Sequence, residues 1–420
     1  MTTNSDQNIV FNRRSFSKLV GSGAMSAMLA SVPVSAQEVP RAARRNWITD
    51  VGSVSPYLAV TDTNVFIHTA DNNVYALNAE NGEQNWKFKM NDTNFSPISS
   101  PPTVANGTVY IESSKSGLYA LSAADGSEEW NFESPNIITS SPAFEAGTVF
   151  VGGSSGRYAT ETGEQHALYA VDAETGEQQW KFETNDPILP TPAVAEDTVF
   201  VVGFDATLYA VDARTGDEKW MFDDQETAQA SGSSPAVYGG TVFIGSQDNN
   251  LYAVDADTGT QNWVFETGDN VKSSPTVVDD TVFVGSADNH LYAVDSENGN
   301  QQWALDTGNI VLSSPTVFNG TVFVGNGREG TERDLHAVDA DSGRLQWKFE
   351  LFNAARFSSP IVSNGAVFIG DAGGKIYSVD IDINYQNSEG DKTSTSTSAS
   401  GFEIPISLAA VASAGYLMKK

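Results

Sequence analysis

The chain of 420 residues contains no cysteine. That absence excludes disulfides, thiol chemistry, cysteine-ligated metals and a lipid-modified N-terminal cysteine. Histidine is nearly as scarce, with only His68, His166, His290 and His336 scattered singly, which favours structural roles over metal ligation. No His-Glu-x-x-His, phosphate-binding loop or Gly-x-Ser-x-Gly elbow appears. Basic residues are few: 23 Lys plus Arg stand against 53 Asp plus Glu, for a formal net charge of −30. A surface so negative repels nucleic acid and anionic lipid headgroups, so nucleic acid is excluded as a partner. Helical patterning is missing from the central part of the chain, where no stretch carries the i, i+3, i+4, i+7 spacing of an amphipathic helix. Apolar residues still make up 40% of the chain, enough for a folded core rather than acidic disorder.

What the sequence does have is a repeat. Trp47, Trp86, Trp130, Trp180, Trp220, Trp263, Trp303 and Trp347 follow one another at intervals of 39, 44, 50, 40, 43, 40 and 44 residues. Around each the same order of phrases recurs, clearest from Ser273 to Trp303. Thr281 to Val284 and Leu291 to Val294 are β-branched or aromatic and bounded by Gly, Asp and Asn, so each phrase reads as a short strand. Four strands in about 40 to 45 residues is the size of a propeller blade. Prolines open eight inner strands, at Pro56, Pro101, Pro142, Pro192, Pro235, Pro275, Pro315 and Pro360. The unit that starts at Pro360 ends near Asp382 without an outer strand, while Trp47 precedes the first complete unit. The expected fold is therefore an all-β, eight-bladed propeller of four-stranded antiparallel blades over residues 45–382, with Arg45 to Thr49 closing the ring as the outer strand of the last blade.

Ala170 to Trp180 reads A-x-D-x-x-T-G-x-x-x-W and returns at Ala210 to Trp220. This motif resembles the tryptophan-docking repeat of the PQQ-like propellers, the family of quinoprotein alcohol dehydrogenases and of the assembly factor BamB. The Asp and Thr-Gly build a tight turn, with Gly accepting positive φ, and all eight tryptophans are expected to dock blade against blade. The resemblance implies two opposed functions. Enzymes of the family clamp pyrroloquinoline quinone with a vicinal disulfide and hold calcium beside a catalytic Asp; that disulfide is impossible here, and no catalytic carboxylate can be named. The favoured expectation is a monomeric, non-catalytic scaffold binding protein or glycan partners, without cofactor. A PQQ- and Ca2+-dependent dehydrogenase and a BamB-like envelope assembly factor are the alternatives. Repeated Asp71-Asn72-Asn73, Asp248-Asn249-Asn250 and Asp288-Asn289-His290 stand at equivalent hairpins and read as turn formers rather than calcium ligands.

Two segments depart from the repeat, Gly152 to Ala167 and Gly325 to Asp334, both between second and third strands. Insertions on one face mark a recognition surface. Arg157, Arg328, Arg333 and Arg356 are expected there, with Phe95, Tyr158 and Phe357 as apolar contacts and His166 in the first insertion. Ser273-Ser274, Ser313-Ser314 and Ser358-Ser359 suit a crowded polar channel where the inner strands converge.

The flanks carry targeting features. Arg13-Arg14 followed by Phe16, Lys18 and a mildly apolar stretch to Ala36 resembles a twin-arginine signal peptide over residues 1–36. Residues 383–400 form a Ser/Thr-rich stalk, and residues 401–420 a C-terminal anchor or sorting signal. Together they imply export to the cell surface, with anchoring to the membrane through the C-terminus. The acid excess resembles that of proteins of salt-loving archaea. Sequons at Asn91, Asn94, Asn106 and Asn319 are candidate glycosylation sites, the last two in hairpin turns.

Overall fold

The computed structural model describes residues 43–52, 57–69, 72–90, 100–113, 117–154, 166–223, 232–328, 333–355 and 358–381. Every described residue lies in the unit Pro40–Lys420. The expected signal segment with Arg13 and Arg14, the stalk and the C-terminal segment lie outside the described residues, as do Asn91 and Asn94. Among the described residues no helix is long and apolar enough to cross a membrane.

Blade 6 shows how the repeat folds. Its strands are Thr276–Val278, Thr281–Gly285, His290–Asp295 and Gln301–Asp306, each antiparallel to the next. The two middle strands are buried along nearly their whole length because neighbouring blades cover both of their faces, which is why they read as apolar runs. The outer strand is half exposed and alternates, leaving Trp303 buried between exposed neighbours. Inner and second strands join through Asp279 and Asp280, whose φ values of 48° and 64° make a two-residue hairpin turn. Asn106 and Asn319 occupy the first position of the equivalent turns in blades 2 and 7, exposed as expected of a sequon turn.

Eight such sheets are present, and the inner strands of successive blades touch all the way round, blade 8 meeting blade 1. The closing strand is Arg44–Asp50, paired with Lys375–Asp380, with Trp47 opposite Ser378 and Ile48 opposite Tyr377. The ring is thus fastened by the N-terminal strand, as the misplaced Trp47 implies. Lys375 Nζ reinforces the pair at 3.1 Å from Asp50 Oδ2. Blade 3 departs from the expected four strands by one short addition, Ile137–Ile138, which pairs with Ser154 and Gly153. Its second strand, Thr148–Ser154, is longer than its counterparts and offers free backbone there.

Successive blades are joined by the tryptophans. A bulge one residue before each indole turns it towards the next blade, as at Ala293 opposite Trp303 and Val294 opposite Gln301. Trp303 Nε1 donates to the Ala340 carbonyl of blade 7 at 2.8 Å, and its ring covers Gly343 in the same turn. Gly343 has φ 68°, and a Cβ on it would lie 2.6 Å from Trp303 Cδ2, so the glycine is required twice over. The turn itself is built by its Asp: Asp172 Oδ1 accepts from the backbone N–H groups of Glu174 and Thr175 and from the Thr175 hydroxyl. Those hydrogen bonds, the Thr175 N–H first, hold the Asp172 carboxyl below the usual range. Seven of the eight tryptophans, from Trp47 to Trp303, donate to the next blade's turn in this way. Trp347 is different. It faces blade 8, whose third and outer strands come from opposite ends of the chain, so it packs in a cluster with Ala43 and Ile381 instead of on a glycine turn.

Candidate functional site

In each blade the inner-to-second and third-to-outer connections lie at one end of the barrel of strands, here the turn end. The second-to-third and outer-to-inner connections lie at the other, the mouth end. At the mouth end the Asp-Asn triplets act as turn formers. Asn249 and Asn289 take φ of 78° and 79°, while Asp288 Oδ1 accepts the His290 N–H at 3.0 Å. Asp288 Oδ2 accepts the Tyr292 hydroxyl at 2.7 Å and the Gly268 N–H of the preceding outer-to-inner connection at 2.7 Å. One carboxylate therefore ties two connections together. Burial pushes Asp288 up, but the donors from Tyr292, Gly268, His290 and Ser286 outweigh it and hold the carboxyl below its ordinary value. Among the described residues no group of three metal-ligating side chains converges.

The recognition residues expected from the sequence are placed unevenly. Arg157, Tyr158, Phe95, Arg356 and Phe357 lie outside the described residues. His166 is corrected: it opens the third strand of blade 3, pairs with Ser154, and is 2% exposed with Nδ1 3.0 Å from the Ser154 hydroxyl. The strand ladder extends further into the insertion than the sequence pattern indicates, and carries the imidazole inside. Arg328 is exposed at the mouth end of blade 7. Arg333 is half-buried, and its Nε donates to the Leu351 carbonyl at 3.2 Å, so this guanidinium also braces the blade 7 to blade 8 connection. The whole corner is rebuilt around the missing tyrosine. Asn326 Oδ1 accepts the Asp334 N–H at 2.7 Å, and Lys348 Nζ lies 3.0 Å from Asp334 Oδ2. His336 occupies the tyrosine's strand position, buried; burial pushes its pKa down to about 4, with Lys348 adding to the effect and Asp334 opposing it. Its imidazole is neutral at pH 7.

At the centre of the mouth end the inner strands enclose a cavity of about 180 Å³ lined by residues from all eight blades. The paired serines divide the work of building it. The first of each pair stitches its own blade: Ser273 Oγ accepts the Gly285 N–H at 2.8 Å, and Ser233, Ser313 and Ser358 do the same for Gly245, Gly325 and Gly370. The second stitches blade to blade: the Ser234 N–H donates to Ser274 Oγ, Ser274 to Ser314, and Ser314 to Ser359, at 2.9 to 3.0 Å. Thr191 begins this run by donating to Ser234 Oγ at 2.9 Å. Within this run each hydroxyl oxygen accepts a backbone proton, which leaves its own O–H to be aimed elsewhere.

One charged residue lines the cavity, Lys272. It is half-buried, and among the described residues no carboxylate lies within ion-pair distance of it. The sequence reading missed Lys272, although a signal was there. In blades 3 to 7 the residue before the mouth-end pair runs Thr139, Leu189, Gly232, Lys272 and Leu312, and lysine alone among them carries charge. No carboxylate or carboxamide side chain is among the lining residues. A calcium ion, which seeks several oxygen ligands with carboxylates among them, would instead meet an ammonium. Pockets for drug-sized ligands begin at about 300 Å³. The described residues of the channel therefore do not fit a quinone cofactor with calcium.

The family model described as outer membrane protein assembly factor BamB matches residues 36–161, 138–263, 226–316 and 308–387, which together run through most of the chain. No curated protein matches the sequence. Among solved structures, the chain is similar to BamB from Moraxella catarrhalis, with a TM-score of 0.66 at 18% identity over 80% of this chain and 99% of that one. It is equally similar in fold to the quinohemoprotein alcohol dehydrogenase of Comamonas testosteroni, with a TM-score of 0.66 at 14% identity over 86% of this chain and 79% of the enzyme. The computationally designed Ika8 protein also gives a TM-score of 0.66, at 15% identity over 79% of this chain and 97% of the design. One backbone thus accompanies an assembly factor, an enzyme and a design, so the site must decide between functions.

Proposed function

The chain belongs to the propeller family whose model is described as outer membrane protein assembly factor BamB, and on that premise we propose that it is a non-catalytic binding propeller that receives a protein partner at its mouth end. The observation that carries this reading is the channel lining. Serine hydroxyl oxygens that accept N–H groups from the preceding blade line the same cavity as a single lysine, and no carboxylate is among the described lining residues to hold a metal. Such a lining suits binding, with one cation and several neutral hydroxyls to meet a partner. Arg328, exposed on the same end of a protein with net charge −30, supplies a further cation for a partner's acidic or carbonyl groups. Export by the twin-arginine route and retention at the cell surface through the C-terminus complete the proposal. A glycan is the other partner class that the arginine-bearing face admits.

The second reading, a quinoprotein dehydrogenase, is supported by the likeness to the Comamonas enzyme, whose fold the chain shares. One titration separates the two. Adding pyrroloquinoline quinone and calcium to the full chain, followed by dye-linked oxidation of simple alcohols and sugars, should give neither stoichiometric binding nor turnover. Tight binding with turnover would replace the binding reading by the enzyme.

A further inference from the structure

We propose that the mouth of the central channel is a carboxylate-binding site, in which the Lys272 ammonium and the hydroxyls of Ser234, Ser274, Ser314 and Ser359 take a single carboxylate group. The inference deepens the binding reading, and rests on it for the partner that would bring such a group. Four observations converge. Lys272 and all four serines line one cavity, which is large enough for a carboxylate with a short stem and small for a polycyclic cofactor. Each of the four serine oxygens already accepts a backbone N–H from the preceding blade, so what the hydroxyls have left to give is a proton. Hydroxyls with protons to donate and an ammonium lining one cavity are complementary to an anion. Finally, among the described residues Lys272 has no carboxylate partner in a chain with 53 of them, although Gly232 beside it leaves its flank open, with a Cβ there 3.9 Å from the Lys272 Cβ.

The single positive charge selects a single carboxylate over phosphate, which at neutral pH would bring nearly two negative charges into a molecule already at −30. Carboxylate can come from a free organic acid or from an acidic side chain of a protein partner inserted into the channel. The chemistry is shared and the test distinguishes the sources.

The experiment is calorimetric titration of the full chain at constant ionic strength with two probes, acetate and a terminally blocked Gly-Ser hexapeptide bearing one glutamate side chain. One equivalent should bind, K272R should retain it, and K272Q should weaken it about tenfold or more. G232D should weaken it similarly, because the new carboxylate beside Lys272 occupies the site from within. The second variant matters because it keeps the lysine. Peptide binding tighter than acetate assigns the site to a partner's side chain; equal binding assigns it to a free acid. No heat with either probe, or binding that K272Q leaves unchanged, would overturn the site. Should a protein partner be captured equally by wild type and K272Q, the binding reading would stand and this inference would fall.

Discussion

The two ends of the propeller are built from the same eight repeats and have diverged to different degrees. At the turn end, blade 8 and blades 1 to 6 repeat one device: a bulge, an indole, and an N–H donated to the next turn, with a positive-φ glycine under the ring. At the mouth end the same strands carry an Asp-Tyr corner in blades 5, 6 and 8, an Asn-Asp-Lys-His arrangement in blade 7, an added strand in blade 3, and a cavity-lining lysine at the entry to blade 6. The turn end holds neighbouring blades together, so each copy answers the same packing problem. The mouth end is stitched at the axis by its serines, and around them its copies differ. What separates one blade of this chain from another is therefore concentrated at the mouth.

The largest test of that contrast removes an indole. Trp303 is 9% exposed and spans the blade 6 to blade 7 joint. Trp303→Ala should cost about 3–5 kcal/mol of unfolding free energy, by lost burial, a cavity and an unpaired Ala340 carbonyl. Denaturant unfolding measures it. A cost below about 1 kcal/mol, the scale of an ordinary surface-proximal change, would mean that the joints are not held by the tryptophans.

The fold was legible because its signals are physical necessities repeated eight times. Trp47 without a blade and a blade without Trp define one closure, and antiparallel pairing of Arg44–Asp50 with Lys375–Asp380 supplies it. The mouth was legible only where repetition breaks by insertion. The insertion in blade 3 was visible, but not that its edges continue the strands and bury His166. Lys272 breaks the repeat by a side chain alone, in a position whose importance appears only when eight strand ends meet at one axis. The division of labour within Ser-Ser-Pro was equally hidden, since both serines are small and polar and only the ring geometry separates stitching within a blade from stitching between blades.

The next prediction lies at the mouth end and is read through pH. His336 is buried and its pKa is lowered to about 4, chiefly by burial. An unfolded chain would protonate it near pH 6.5. A lowered folded pKa means that the stability is complete above pH 6.5 and is lost as pH falls from there towards 4, reaching at most about 3 kcal/mol. His336→Tyr restores the residue of the other blades and should flatten this part of the curve. Thermal unfolding of both proteins between pH 7 and 4 measures the difference, and parallel curves would show that the histidine is not the group responsible.

Two glycines sharpen the contrast at a smaller scale. Gly299 at the turn end and Gly308 at the mouth end have φ of 73° and 79°, so alanine at either meets the same backbone strain. At Gly299 the new Cβ would also lie 2.8 Å from Trp263 Cδ2, whereas at Gly308 nothing stands within 4 Å. Gly308→Ala should cost about 1–2 kcal/mol, the strain alone. Gly299→Ala should cost a further 1–3 kcal/mol, roughly that of overpacking. Equal losses would mean that the indole moves aside and that the joint tolerates slack.

The smallest expected change is at Lys272. It contributes no ion pair among the described residues and no hydrogen bond to the stitching of the ring, so Lys272→Gln should shift unfolding by no more than about 0.5 kcal/mol. A residue that costs little to remove, at the axis where the eight inner strands meet, would be held there by something other than stability. If K272Q proved strongly destabilising, the lysine would belong with the serines as part of the packing, and the two ends of the propeller would differ less than their sequences imply.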